Sequence, residues 1–447
     1  MIGILLTILA IVLYINGNKK WSILLFACFS YRGFVILTDN IMGLKNQDAA
    51  LIYFIFIFFY SMFKEKKQPV VQNRQLDRAM KCFFIFMVLS IFFSALHYNL
   101  DFYQLIQGSR RYFIIFSFYF IRKLSFKDAK WVIDKILLIS IVTGFLYILE
   151  SMFGLPVLPD SEAQLSTDSI DGTLRYYNYP PALEVSIFLL LFCYDSMSKY
   201  RKYFSLAILL IALVCTQGRT LIASILFVIV LSLLMKGQIR KTMRYGVIGA
   251  ICLIPFLPLV MERFQGDDKN KSSSDITSIL NGDFTHYEGQ GGTMVFRFAL
   301  VYERFAYLMD RPFGEQVFGM GLLSDQQSTL VNRMYNFRIG LRDRETGSIV
   351  QLSTPDIAYG NLICKLGLLG MSIYIWIWGV MIWLSYKYRK YNEYVFSLFC
   401  LLFVYFYTSF SGATISYAEY SVIPFILMSF LKSLIPQHFD LTLFISS

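Results

Sequence analysis

Charge is scarce in this chain. Only 16% of its 447 residues are Asp, Glu, Lys or Arg, where a soluble domain carries about a quarter. Together with 56% hydrophobic residues and a mean hydropathy of +0.54, that shortage excludes an ordinary soluble globular domain. Histidine is scarcer still. His97, His286 and His438 are too few for a histidine metal cluster. The seven cysteines (Cys28, Cys82, Cys193, Cys215, Cys252, Cys364, Cys400) are scattered through apolar segments, with no C-x-x-C pair. They indicate neither a disulfide framework nor a thiolate metal site, and no other feature calls for a cofactor. No internal or inverted repeat of the kind that marks secondary transporters is visible. The N-terminal "MIGILLTILAIVLYINGNKK" lacks the positive n-region and small-residue cleavage site of a signal peptide, so it reads as a retained span.

Apolar runs fill most of the chain. They fall near 2–15, 21–38, 49–63, 79–96, 103–121, 131–152, 181–197, 203–216, 220–235, 245–261, 357–384, 394–410 and 421–435. The fold class is therefore all-α and polytopic, with about 12–13 transmembrane helices, the first run being short for a bilayer. Lys and Arg concentrate in alternate loops: "NGNKK", "KEKKQPVVQNRQLDR", "RKLSFKDAK", "SKYRKY", "KGQIRKTMR" and "KYRKYNE". Such alternation is what orientation by positive loops produces, and it accounts for most of the net charge of +11 without a nucleic-acid partner. It places the C-terminus inside and the long polar stretch outside. The chain divides into 1–261 (ten helices), 262–355 (a large outward loop containing short helices) and 356–447 (the C-terminal helices).

Ionisable residues at membrane depth are costly and so are functional candidates. Arg110 and Arg111 lie near mid-span if run 103–121 is a regular helix. They suit either a phosphate pocket or structural pairing with a carboxylate such as Asp39 or Glu150, and Glu184 could reach them. Arg32 reads as pairing with Asp39 on one helix face. Arg219, in "LVCTQGRTLIASIL", opens a helix after a tight turn, where free N–H groups and a guanidinium fork together favour an anion. Snorkelling to lipid headgroups is the simpler reading of that turn alone. In the outward segment 153–180, Tyr176, Tyr177 and Tyr179 offer flat faces to sugar rings, although an interfacial aromatic belt is the readier explanation.

The long loop carries Arg297, Arg304 and Arg311 every seven residues, within about 20° of one helix face. A Pro/Gly turn, "RPFGEQVFGMG", follows. Asp356 then stands at the start of the next span, where plain helix capping competes with a catalytic role. Tyr359 and Asn361 follow as lesser candidates for holding an acceptor.

Three stretches align with a known pattern. "CTQGRTLIASIL", "FRFALVYERFAYLMDRPFGEQVFGMG" and "DIAYGNLICKLGLLG" resemble, in order and spacing, motifs of the O-antigen ligase/polymerase family. The resemblance covers residues 203–385. It implies a GT-C-like membrane glycosyltransferase of the bacterial cytoplasmic membrane, acting outside on undecaprenyl-diphosphate-linked oligosaccharides. It further implies that Arg219 and Arg297 face the diphosphate; Arg304, from its place on the Arg297 face, and Arg110 and Arg111, from their charge at membrane depth, are added as diphosphate candidates by the residues alone. Asp356 then occupies the position of the family's His. That departure favours a repeat-unit polymerase, working beside flippase and chain-length regulator proteins. A ligase delivering the glycan to another acceptor is the alternative. A flippase for the lipid-linked unit is a third reading, though it has no need of a long outside loop. A proton-coupled transporter fits poorly with so few buried carboxylates.

Overall fold

The computed structural model describes residues 2–38, 40–41, 44–65, 74–160, 165, 173–237, 294–324, 328–340, 349–354 and 356–433. Apart from a two-residue hairpin, Asn40–Ile41 against Leu44–Lys45, the regular structure of the described chain is helical. The helices are α1 (Ile2–Ile15), α2 (Lys19–Ser30), α3 (Asn46–Phe63), α4 (Arg74–His97), α5 (Phe102–Phe113), α6 (Phe118–Ile121) and α7 (Phe126–Phe153). Then come α8 (Leu183–Phe192), α9 (Lys199–Cys215), α10 (Arg219–Met235), the loop helices α11 (Met294–Met309), α12 (Phe313–Phe318) and α13 (Ser328–Met334), and finally α14 (Ala358–Tyr388), α15 (Glu393–Thr408) and α16 (Val422–Met428). Each apolar run within the described residues contains helix. Run 245–261, the first part of the long loop, His286 and Asp39 lie outside them.

Among the described helices four, α3, α4, α7 and α14, are long and apolar enough to cross a membrane. Helix boundaries have local causes. Asp101 and Gln104 close a capping box on α5, Ser125 caps α7, and Gly154, at φ 66°, ends α7 in the left-handed conformation that glycine adopts at least cost. Two expected spans are broken. Run 21–38 is helical only to Ser30, and the chain then turns through positive φ at Arg32, Gly33, Phe34 and Val35. Arg32 thus sits in an irregular turn and not on a helix face. Run 103–121 passes from α5 through a 3-10 turn (Ile114–Ser117) into α6, with Arg110 and Arg111 in the last turn of α5.

The basic loops gather at one end of the bundle. Glu65 takes Lys19 at 2.6 Å and Lys123 at 2.7 Å, joining three of them. Trp21 packs on Trp131, Tyr194 donates to Asp134, and Phe430 contacts both Phe126 and Tyr394. Lys236 pairs with Glu393, bringing in the loops beside α10 and α15.

Near the opposite end the long loop folds back into the bundle. Helix α14 is split at Gly367 (φ 61°, ψ −169°), a backbone region essentially confined to glycine. The break frees the Cys364 carbonyl, which accepts Met320 N–H at 2.7 Å. Gly319 and Gly367 touch backbone to backbone: a Cβ on Gly319 would lie 2.6 Å from Gly367 N, and one on Gly367 would lie 2.4 Å from Gly319 N. Ser94 Oγ accepts Leu322 N–H, Tyr98 donates to the Gly319 carbonyl, and Tyr335 donates to that of Met320. Gly108 of α5 meets the same stretch, since a Cβ there would lie 1.6 Å from the Leu322 oxygen. The glycines of "FGMG" are thus contact residues. Gly367→Ala is expected to cost about 3 kcal/mol or more, from the forbidden dihedrals and the lost loop contact. Thermal unfolding in detergent checks this against Gly379→Ala, whose added methyl meets nothing within 4 Å and should leave the midpoint in place.

Candidate functional site

The three loop arginines part company. Arg304 is 1% exposed. Its Nη1 donates to the carbonyls of Ile339 (2.7 Å) and Leu300 (3.3 Å), its Nη2 donates to that of Gln351 (3.1 Å), and Phe337 stacks at 4.6 Å. Neighbouring Glu303 accepts the N–H groups of Arg338 and Ile339. A guanidinium so enclosed clasps two loop segments together and does not face a diphosphate, correcting the reading from its seven-residue spacing. Arg311 forms a fork onto Glu315 (2.8 and 3.2 Å), which His97 also contacts at 3.0 Å. This network ties α12 to the end of α4. Burial raises the proton affinity of Glu315, but Arg311 and His97 outweigh it and hold the carboxyl below the usual carboxylate range.

Arg297, in the first turn of α11, is half-buried and near enough to Asp356 for the two charges to act on each other. Burial lowers its proton affinity, and Asp356 partly restores it. Burial raises Asp356 above its ordinary value, while Arg297 opposes the rise. Asp356 is not a helix cap: the residue flanking α14 is Ile357, and no side chain closes that end. Its backbone N–H is held by Thr354 Oγ1 at 3.1 Å, and its Oδ2 is buried with no hydrogen-bond partner among the described residues. A carboxylate with an open acceptor beside a partly desolvated guanidinium can take a proton while the cation stabilises a departing anion.

Asn361 proves to be a brace. Its Oδ1 accepts Thr354 N–H (2.7 Å), and its Nδ2 donates to the Thr354 carbonyl (2.8 Å) and Ser416 Oγ (3.3 Å). With the amide occupied at 4% exposure, it shapes the Asp356 turn and has no group left for an acceptor. Tyr359 remains a candidate, its hydroxyl buried without a partner among the described residues and its ring 4.9 Å from that of Phe410.

Arg110 and Arg111 lie in a second cluster, reached from the first through Asn361 and Ser416. Arg110 pairs with Asp48 at 2.5 Å. Arg111 lies 3.7 Å from Glu419, 3.4 Å from Gln47 Oε1 and 4.6 Å from the ring centre of Tyr417. The described partners are not those suggested by sequence; Glu150, for example, accepts Leu158 N–H instead. Sequence reasoning missed Glu419. The signal was an acidic residue inside "SGATISYAEY", a short polar break between two apolar runs.

The remaining candidates belong to a third region. Tyr176 is buried in an apolar cluster, and its carbonyl accepts the Tyr147 hydroxyl at 2.9 Å, which makes it core and removes it from acceptor positioning. Tyr177 is 47% exposed beneath the Arg175 guanidinium. Arg219 opens α10 behind Gly218, with no side-chain cap on that helix end. The preceding Gln217, at φ 52°, is buried and donates to Thr173 Oγ1 at 3.2 Å, fixing the turn to the 173–180 segment. Among the described residues no group of three or more His, Cys, Asp or Glu is placed to hold a metal ion.

No protein-family model and no curated protein matches the chain. Arg304→Ala is expected to destabilise the docked loop by about 3 kcal/mol or more, because buried carbonyls lose their donor. Limited proteolysis should then cut within 328–354. Acid should loosen the α12 contact too: Glu315 is depressed in the folded state, so its stabilisation is present above the unfolded value and fades as pH falls through the folded one. Glu315→Gln should abolish that acid sensitivity in the same proteolysis assay.

Proposed function

We propose that this chain is a membrane glycosyltransferase that joins undecaprenyl-diphosphate-linked oligosaccharide repeat units into a surface polysaccharide. One observation carries the reading: with the long loop docked on split helix α14, the charge of half-buried Arg297 acts on buried Asp356, whose Oδ2 has no partner among the described residues. In this reading the acceptor sugar's hydroxyl oxygen attacks the anomeric carbon of the donor. Its proton passes to Asp356, the bond from the anomeric carbon to the diphosphate oxygen breaks, and the lipid diphosphate leaves with the electron pair. Arg297 stabilises that leaving group, and Arg219, at a helix end without a side-chain cap, supplies a further cation.

The same reading sets the membrane frame. The protein has about 12–13 spans in a GT-C-like arrangement, the clustered Lys/Arg loops and C-terminus lie in the cytoplasm, and the docked loop lies outside the bacterial cytoplasmic membrane. The gathering of basic loops at one end of the bundle supports that orientation. Flippase and chain-length regulator proteins are the expected partners.

Deleting the gene and analysing both the lipid-linked glycan pool and the surface polymer tests the function. Single repeat units at the surface are expected. Polymer stranded on the lipid carrier would indicate a ligase, and units trapped on the inner leaflet would indicate a flippase. Arg297→Ala, Arg219→Ala and Asp356→Ala should each abolish polymer while the protein still inserts in the membrane. Normal chain length in all three would remove the site assignment.

A further inference from the structure

Glu419 is 6% exposed, yet neither carboxylate oxygen accepts a hydrogen bond from another described residue. Leaving a buried carboxylate's acceptors unused is expensive, so its surroundings indicate what completes it. Arg111 lies 3.7 Å away, and its guanidinium also covers the Tyr417 ring. The charges of Arg32 and Arg110 reach Glu419 as well. Tyr417 and Tyr420 stack at 6.4 Å, and Tyr31 and Tyr405 pack edge-on against Tyr420. One side of the cluster is open, since the side chains of Arg111 and Asp48 are 37% and 33% exposed and Arg32 is exposed.

Anions suit this place badly. Arg110 is neutralised by Asp48, and a phosphate brought to Arg111 would meet Glu419. A neutral polyhydroxyl ligand suits it well: carboxylate oxygens accept from sugar hydroxyls, the arginines donate to ring and hydroxyl oxygens, and tyrosine faces stack on the C–H side of a pyranose.

We propose that Glu419, Arg111 and Tyr417 form a saccharide-binding subsite, separate from the Arg297–Asp356 pair. Arg110 and Arg111 accordingly bind sugar and not diphosphate. Resting on the polymerase reading, the subsite holds the glycan of a lipid-linked unit, with Ser416 and Asn361 connecting it to the turn that carries Asp356.

The test uses full-length protein in detergent micelles and the repeat-unit oligosaccharide released from its lipid carrier and dephosphorylated. Saturation-transfer NMR should show wild-type binding, weakened about tenfold or more in Glu419→Gln, as expected when hydrogen bonds to a charged group are lost. Tyr417→Ala, which leaves the buried charges in place, should weaken binding comparably and guards against misfolding of the first variant. Wild-type affinity in both variants overturns the subsite, as does absence of glycan binding to the wild type. Competition by pyrophosphate for the same site also overturns it. Glycan binding that depends on Glu419, in a protein whose deletion leaves polymer length unchanged, would remove the polymerase reading and keep the saccharide site. Polymerisation without such binding would do the reverse.

Discussion

The backbone contact between Gly319 and Gly367 organises the part of the molecule that carries the candidate site. Two glycines let a loop and a membrane-length helix approach more closely than any side chain allows. The split in α14 supplies the free carbonyl that receives Met320. Without that docking, α12 would lose its seat between α4 and α14, and α11 would have no fixed height from which to aim Arg297. Glycine is required here for two reasons at once, dihedral freedom at Gly367 and interatomic distance at both positions.

Charge compensation then separates scaffold from site. Arg304 and Asn361 are buried polar groups with their partners in place, and each ties one stretch of backbone to another. The Arg311–Glu315–His97 network does the same at the end of α4. Asp356 and Glu419 differ from these: both are carboxylates in low-dielectric surroundings with an oxygen that nothing in the described structure satisfies. Such groups are costly to a fold, and a ligand that supplies the missing hydrogen bonds gives a physical reason for them.

The helical class was readable in the sequence because hydropathy acts residue by residue and needs no knowledge of packing. Apolar runs and alternating basic loops correspond to helices and to one gathered end. Tertiary contact set what remained hidden. Run 21–38 looks like one span, yet left-handed turns at Arg32–Val35 break it, and nothing in hydropathy marks a backbone reversal. The heptad of Arg297, Arg304 and Arg311 suggested one functional face. Periodicity is blind to what covers a face, and here loop carbonyls cover Arg304. Asp356 and Arg297 could be picked out as candidates because each sits where the loop meets helix. Glu419 was hidden in a short polar break, and only folding brings it to Arg111, far earlier in the chain.

In the proposed reaction, proton transfer falls to a carboxyl whose proton affinity is raised by burial and checked by a neighbouring guanidinium. The most direct measurement is the pH dependence of chain extension by purified full-length protein with its lipid-linked oligosaccharide. A base must be deprotonated to act, so activity should fall with decreasing pH along a limb displaced above the range of an exposed aspartate. Arg297→Gln, which removes the cation opposing the rise, should move that limb further up in whatever activity remains. An acid limb at the position of an exposed carboxylate, unmoved by Arg297→Gln, would contradict the assignment of Asp356 as the base.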